Sequence, residues 1–142
     1  MAFIMLDNDI DILKQHILHL VEQSKTHTPT EMILGNIPHS TVSNFNYGIK
    51  DNPLKVNTST LYKIVKRLDE LEKDTTYYKD LCKVIKEFVQ KNIMVDSISN
   101  LVSEFGLNYI TLHKISDYKL TTPYRLVTLK QYAEQVEQIR KG

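Results

Sequence analysis

Cysteine, glycine and proline are all scarce in this 142-residue chain, and each shortage excludes a class of protein. The single cysteine, Cys82, rules out an internal disulfide framework and is typical of a chain that works in a reducing cytoplasm. Four glycines and four prolines are too few for long disordered linkers or for an all-β chain with many tight turns.

Long apolar runs are also missing. The apolar stretch at residues 1–6 has no basic flank and is too short for a secretory signal peptide. No run approaches the ~18 apolar residues that a membrane-spanning helix needs. With 42% apolar and 25% charged residues, the composition is that of an ordinary globular chain. We therefore expect a cytoplasmic protein with no membrane partner, built as one domain or as two small ones.

The second half of the chain repeats a pattern of the first, at an offset of 70. In residues 32–42 and 102–112, a small or apolar residue comes four positions before a turn residue, and an aliphatic residue follows six positions after it. The turn residues, Asn36 and Gly106, belong to types that tolerate a positive φ angle. This spacing packs a short helix against a second one across a tight turn, which is the helix-turn-helix pattern.

Helical periodicity extends the repeat along the first half of the chain. It predicts a first helix at 7–24, capped by Asp7-Asn8-Asp9, and a second from a break at 26–30 to Gly35. A third helix is predicted at 39–46 and ends before Gly48, and a fourth follows a cap at 58–60. Residues 49–57 are expected to form a loop or a small β-hairpin wing.

The second half repeats this order. It predicts helices at 77–92, from Asp96 or Ser97 to Phe105, at 109–118, and through Leu126 to Val136. Apolar positions match at an offset of 68 for the first helices and 65 for the last, so the change in spacing falls in loops. We predict an all-α fold, with at most a small β wing, of two four-helix helix-turn-helix modules. These modules, residues 1–74 and 75–142, are expected to pack rigidly as an internal pseudo-dimer.

Net charge is only +1, but the charge is unevenly distributed. Residues 36–67 carry five basic side chains against one acid, and residues 106–130 carry four against one. The acids gather instead at 7–11 and 69–74. A nearly neutral chain can therefore present a basic face to phosphate, because the local field decides the attraction. Lysines that merely solvate helix faces are the alternative interpretation.

The second helix of each helix-turn-helix, which we call the reading helix, is predicted to bury two apolar residues and expose polar ones. The buried pairs are Val42 with Phe45 and Leu112 with Ile115. In a DNA-binding helix-turn-helix, the exposed side chains enter the major groove and contact base edges. The predicted base-contacting residues are His39, Ser40, Ser43, Asn44 and Tyr47 in the first module, and Asn108, Tyr109, Thr111, His113, Lys114 and Tyr118 in the second.

Individual residues suit different parts of a duplex. Asn44 can contact adenine through two hydrogen bonds, and Lys114 can reach O6 and N7 of guanine. Four flanking cations suit phosphate contacts, which position a protein without specifying sequence: Lys50, Lys55, Lys119 and Arg125. Hydroxyls where the supporting helices begin can also hold phosphate: Thr28, Thr30, Ser97 and Ser99. For a single helix-turn-helix, compact packing with no DNA-binding role is the alternative interpretation. The presence of two copies favours DNA binding.

Patterns typical of metal sites and enzymes are weak. Residues 7–11 begin like an EF-hand loop, but the required glycine and glutamate are replaced by Ile12 and Leu18. His16 and His19 share a helix face, yet no other cysteine or histidine lies near in sequence to complete a zinc site.

Nor does the sequence carry the residues of a known catalytic pattern. Cys82 lies beside apolar helix positions without a partnered His/Asp pattern, so a core thiol is favoured over a nucleophile. The chain has no glycine-rich phosphate loop and no G-x-S-x-G. We therefore expect a non-enzymatic protein with no metal and no cofactor.

Residues 33–48 with the helix at 61–68 resemble the Cro/repressor-type helix-turn-helix family. The resemblance lies in Ser40-Thr41-Val42-Ser43, in Asn46-Tyr47-Gly48 and in the amphipathic helix after the loop. The second module is looser, with Ile110-Thr111-Leu112-His113 and no closing glycine. The tandem build and size are also similar to TraN-type small DNA-binding repressors of Gram-positive conjugative plasmids and to phage regulators.

The resemblance implies a sequence-specific regulator of double-stranded DNA, most often a transcriptional repressor. Members of the Cro/repressor family usually bind operators as dimers, but this chain carries two modules. A monomer is therefore sufficient for DNA binding, and a homodimer is also compatible with the sequence. Its reading helices would enter successive major grooves about 34 Å apart. The rival hypothesis is a protein-interaction or inhibitor protein, such as a phage anti-defence protein, which the low net charge and the acids at 69–74 favour.

Overall fold

The computed structural model describes residues 2–73, 76–120 and 124–141, and that part of the chain is helical with no β-strand. The helices are α1 (Ala2–Lys25), α2 (Pro29–Ile33), α3 (His39–Tyr47), α4 (Thr58–Leu71), α5 (Tyr77–Asn92), α6 (Ile98–Ser103), α7 (Tyr109–Ser116) and α8 (Leu126–Lys141). The predicted all-α class is confirmed. None of the described helices combines the length and apolarity that crossing a membrane would require.

The first helix starts earlier than its predicted cap. Asp7, Asn8 and Asp9 lie inside α1, which begins at Ala2. The predicted N-cap is therefore wrong, because Leu6 continues the buried face of Ile10 and the residues that follow it. Burial of that face outweighs a local capping preference of about 1 kcal/mol.

The supporting helices α2 and α6 begin at side-chain caps. Thr28 Oγ1 accepts the N–H of Glu31 at 3.2 Å, and the Glu31 carboxylate accepts the N–H of Thr28 at 2.9 Å, which is a capping box. In the second half Ser97 Oγ accepts the N–H of Asn100 at 3.2 Å. Thr28 lies within the break predicted at 26–30, and Ser97 is one of the two residues predicted to cap the later helix, so side-chain caps fix the start of both short helices.

Residues 49–57 form no β wing. They contain a 3-10 turn, Pro53–Lys55, in which Pro53 and Leu54 are buried. Of the two predicted alternatives, the structure has the loop and not the β wing, because these apolar side chains turn inward and the 3-10 turn packs on both α1 and α8. The predicted N-cap within 58–60 is also wrong, since α4 begins at Thr58 and its N-cap is Asn57, whose side chain makes no capping hydrogen bond.

The core lies where α1 and α5 meet. α1 packs against α3, α4, α5 and α8, and α5 packs against α4, α7 and α8. The buried residues of the two central helices are Leu13, Ile17, Leu20 and Val21 on α1 and Leu81, Ile85, Phe88 and Val89 on α5. Each side chain of this kind contributes about 1.5–3 kcal/mol when fully buried. An apolar core therefore joins the two halves of the chain and holds the reading helices in place.

Candidate nucleic-acid interface

The reading helix of the first half, α3, has one buried and one exposed face. Val42 and Phe45 are buried beneath it, as their spacing predicts. The five predicted base-contacting residues are all exposed: His39, Ser40, Ser43, Asn44 and Tyr47. Helical periodicity thus places every one of them on the solvent side of a helix whose other face is anchored in the core.

The reading helix of the second half, α7, is built in the same way. Leu112 and Ile115 are buried, and Thr111 is half-buried. The exposed members of the predicted set are Asn108, Tyr109, His113 and Lys114. These side chains leave a mixed polar and aromatic surface on α7.

Contacts at the start of α7 orient three of these exposed residues. Asn108 caps the helix, since its Oδ1 accepts the N–H of Thr111 at 3.0 Å. The Tyr109 ring meets His113 edge-on, with 4.4 Å between ring centroids. Asn108 therefore has a structural role as well as a surface position.

Tyr118 does not lie on the exposed face that was predicted for it. Helix α7 ends at Ser116, and the Tyr118 ring is half-buried against the core. Its hydroxyl donates a hydrogen bond to the backbone oxygen of Tyr124 at 2.7 Å, and burial raises the pKa of the phenol. The outward position predicted for Tyr118 is therefore wrong, and we assign it to packing.

The predicted phosphate-contacting cations lie at the surface. Lys50, Lys55, Lys119 and Arg125 are all exposed. Lys119 Nζ lies 3.8 Å from the carboxylate of Asp117, but both side chains are open to solvent, where such a pair is worth little. Residues 121–123, between Lys119 and Arg125, lie outside the described part of the chain.

The hydroxyls predicted to hold phosphate divide into two kinds. Thr28 and Ser97 already accept backbone N–H groups as caps, whereas Thr30 and Ser99 are exposed in the first turns of their helices. The first pair therefore orders the supporting helices, and the second pair is the better placed for a ligand.

Two clefts that the sequence did not reveal flank the reading helices. The first cleft, between α1 and the end of α3, is lined by Gln15, Leu18, His19, Val21, Glu22, Lys25, Asn46 and Lys50. The second cleft, between α5 and the end of α7, is lined by Cys82, Lys83, Lys86, Val89, Ile115, Ser116, Asp117 and Tyr118. Each cleft thus brings at least two lysines beside the end of a reading helix.

Three lysines of these clefts and one exposed apolar residue lie outside the predicted set. Lys25, Lys83 and Lys86 belong to α1 and α5, outside the helix-turn-helix motif, so no motif spacing marks them. Lys25 Nζ also lies 5.0 Å from the centroid of the Tyr47 ring, which ties α1 to the reading helix. Ile110 is 63% exposed on α7, and its spacing to His113 and Lys114 was the signal that could have placed it outward.

Cys82, His16 and His19 are the side chains that could have suggested catalysis or metal binding. Cys82 is half-buried, and burial raises the pKa of its thiol, so the reactive thiolate is disfavoured. Burial likewise lowers the pKa of His16, with the charge of His19 acting in the same direction. Among residues 2–73, 76–120 and 124–141 no group of three or more His, Cys, Asp or Glu side chains could hold a metal ion.

Comparison with protein-family models, with curated proteins and with solved structures finds no match. The geometry of the two reading helices and the charges around them are the features of the chain that bear on its function.

Proposed function

We propose that this chain is a sequence-specific regulator that binds double-stranded DNA through α3 and α7. The observation that carries the proposal is the shared design of the two helices. Each follows a tight turn, anchors two apolar residues in the core and turns hydrogen-bonding side chains to solvent. A helix with those features can enter the major groove and contact base edges.

The charges around the two helices support a duplex partner. Lys50 and Lys55 follow α3, Lys119 and Arg125 follow α7, and the cleft lysines Lys25, Lys83 and Lys86 stand on the neighbouring central helices. Cations beside a polar reading surface would contact phosphates on either side of the groove. The proposal therefore divides the surface into base-reading residues on α3 and α7 and phosphate-binding residues around them.

Three of the four acids that favoured a protein-inhibitor role make contacts within the chain, and the fourth, Asp74, lies outside the described residues. Asp69 accepts the backbone N–H groups of Tyr77 and Tyr78 at 2.7 and 3.2 Å. Glu70 lies 3.0 Å from Arg67, and Glu72 lies 2.8 Å from the His27 ring. Asp69 and Glu72 thus tie α4 to α5 and to the end of α1, whereas Glu70 pairs within α4 and stays exposed. Two of these carboxylates therefore offer less to a partner protein than their sequence suggests.

Selection of bound sequences from a random duplex pool tests the proposal, with the 142-residue chain as bait. We expect a defined motif to be enriched, and its affinity to fall linearly in a log–log plot against salt with a slope near −0.9 per phosphate contacted. A chain that enriches no sequence and shows no salt-dependent affinity for duplex DNA would contradict the proposal.

The biological role that we propose is transcriptional repression of a mobile element, a conjugative plasmid or a phage, in the cytoplasm. It rests on the resemblance of residues 33–48 and 61–68 to Cro/repressor-type proteins. A reporter gene placed behind the selected motif should lose expression when the chain is produced. Unchanged or increased expression would contradict repression while leaving DNA binding intact.

A further inference from the structure

Contacts between α1 and α5 repeat themselves across the interface of the two halves. Lys91 Nζ lies 3.7 Å from the carboxylate of Asp9, and the Tyr77 hydroxyl donates to Gln23 Oε1 at 3.0 Å. At the offset of 68 that relates α1 to α5, Asp9 is equivalent to Tyr77 and Gln23 is equivalent to Lys91. The two contacts therefore join the same pair of equivalent positions, and the half that contributes each position is exchanged between them.

A second pair of neighbours follows the same rule. Asp80 acts electrostatically on His16, and Ile12 and Val84 line one pocket between the same two helices. At the same offset, Ile12 is equivalent to Asp80 and His16 to Val84. Early residues of each helix thus meet late residues of the other, as in antiparallel packing.

The two clefts beside the reading helices are equivalent as well. Their linings contain the pairs Gln15 and Lys83, Leu18 and Lys86, and Val21 and Val89 at the offset of 68, and Asn46 and Ser116 at 70. The same surface therefore lies beside α3 in one half and beside α7 in the other.

Two arrangements are open to a repeated module. In a head-to-tail arrangement one surface of the first copy meets a different surface of the second, whereas in a two-fold arrangement the same surface meets itself with partners exchanged. The contacts between α1 and α5 are of the second kind. We infer that a pseudo-two-fold axis passes between α1 and α5, and that the DNA site is an imperfect inverted repeat.

This inference rests on the proposed function and adds the orientation of the two half-sites. Duplex DNA has two-fold axes perpendicular to its length, so a protein with a two-fold axis reads half-sites that run in opposite directions on the two strands. Asn44 and Lys114 occupy equivalent positions, at the offset of 70, and differ in chemistry. The half-sites therefore differ where Asn44 reads adenine and Lys114 reads guanine.

Binding of the unmodified chain to three duplexes tests the orientation. The first carries the selected site, the second has one half-site reversed in place to make a direct repeat, and the third has one half-site scrambled. We expect the second and third duplexes to bind about 100-fold or more weakly than the first, since one reading helix then meets a non-specific sequence.

The outcomes separate the inference from the proposed function. Equal or tighter binding of the direct repeat, or a selected site with one half-site only, overturns the inverted arrangement and leaves DNA binding in place. Failure to select any duplex overturns the proposed function and the inference together.

Thiol cross-linking tests the two-fold axis without DNA, in a Cys82→Ala background. The variants Asp9→Cys/Lys91→Cys and Gln23→Cys/Tyr77→Cys should both form a short intramolecular cross-link. The control Gln23→Cys/Lys91→Cys joins equivalent positions, which antiparallel packing separates by about 14 helical residues, or roughly 20 Å. Cross-linking of the control alone, or of only one of the two test pairs, contradicts the axis.

Discussion

Asn36 and Gly106 adopt the same left-handed backbone conformation, with φ angles of 62° and 68°, in the turns that precede the two reading helices. They are the positive-φ residues of the described part of the chain, and they occupy equivalent positions of the repeat. Each turn joins a supporting helix to the reading helix that packs on it. The geometry of the candidate interface therefore depends on a backbone angle that most side chains disfavour.

Replacing Gly106 by alanine should destabilise the fold by about 1–2 kcal/mol, the cost of a left-handed conformation for an ordinary residue. Nothing lies within 4 Å of the added Cβ, so the loss reflects backbone strain and not a clash. Urea unfolding measures the change. Gly106→Asn is the matched control, since Asn36 already serves in the equivalent turn, and it should lose less than the alanine variant. An alanine variant as stable as the parent would contradict this account of the turn.

Much of the candidate interface could be predicted because helical spacing encodes which face of a short helix is buried. Val42, Phe45, Leu112 and Ile115 recur at intervals that place them together on one side, and all are buried. The polar residues between them are exposed for the same reason. Local chemistry likewise located the caps at Thr28 and Ser97.

The features that sequence analysis missed depend on contacts between distant segments. The start of α1 was misplaced because burial of Leu6 outweighs the acidic cap. The choice between a loop and a β wing at 49–57 was left open because it depends on Leu54 turning into the core. Tyr118 is held by a hydrogen bond from its hydroxyl to the backbone oxygen of Tyr124. The sequence between these two residues has no helical periodicity that could predict this contact. Lys83 belongs to a cleft that exists only once α5 packs beside α7.

Replacing Asn44 or Lys114 by alanine should cost about 1–3 kcal/mol of binding and relax the preference at one base pair. Lys50→Ala should instead weaken binding to every duplex alike, because a phosphate contact carries no sequence information. Gel shifts with the selected and a scrambled duplex distinguish the two classes. Identical effects of Asn44→Ala and Lys50→Ala on both duplexes would contradict the assignment.

Replacing Lys114 by asparagine should make the two halves of the site more alike. The variant then carries asparagine at both equivalent positions, so the guanine preference of the second half-site should change to adenine. Repeated selection from the random duplex pool reads out the change. A variant that keeps guanine at that position would show that Lys114 does not read it.

The double variant Lys83→Ala/Lys86→Ala should reduce the salt dependence of DNA binding. Both lysines are exposed at the second cleft, beside the end of α7. If each contacts one phosphate, the log–log slope should become shallower by about 1.8, and affinity should fall for all sequences. The control Lys63→Ala/Lys73→Ala removes the same charge from exposed positions outside both clefts and should change the slope less. Equal slopes for both double variants would remove the second cleft from the interface.

Acid should destabilise the fold in part through His16. Partial burial lowers the pKa of this imidazole below its ordinary value of 6.5, the charge of His19 adds to the effect, and Asp80 opposes it. The unfolded chain therefore binds a proton at this ring more readily than the folded chain, so the free energy of unfolding falls as pH drops through 6.5. Urea unfolding at about pH 5.5 and about pH 7.5 should show a smaller difference for His16→Gln than for the parent. Gln15→Ala, at an exposed position without an ionisable side chain on the same helix, is the control and should keep the parent's pH dependence. If His16→Gln loses as much stability in acid as the parent does, the ring is not the group that titrates.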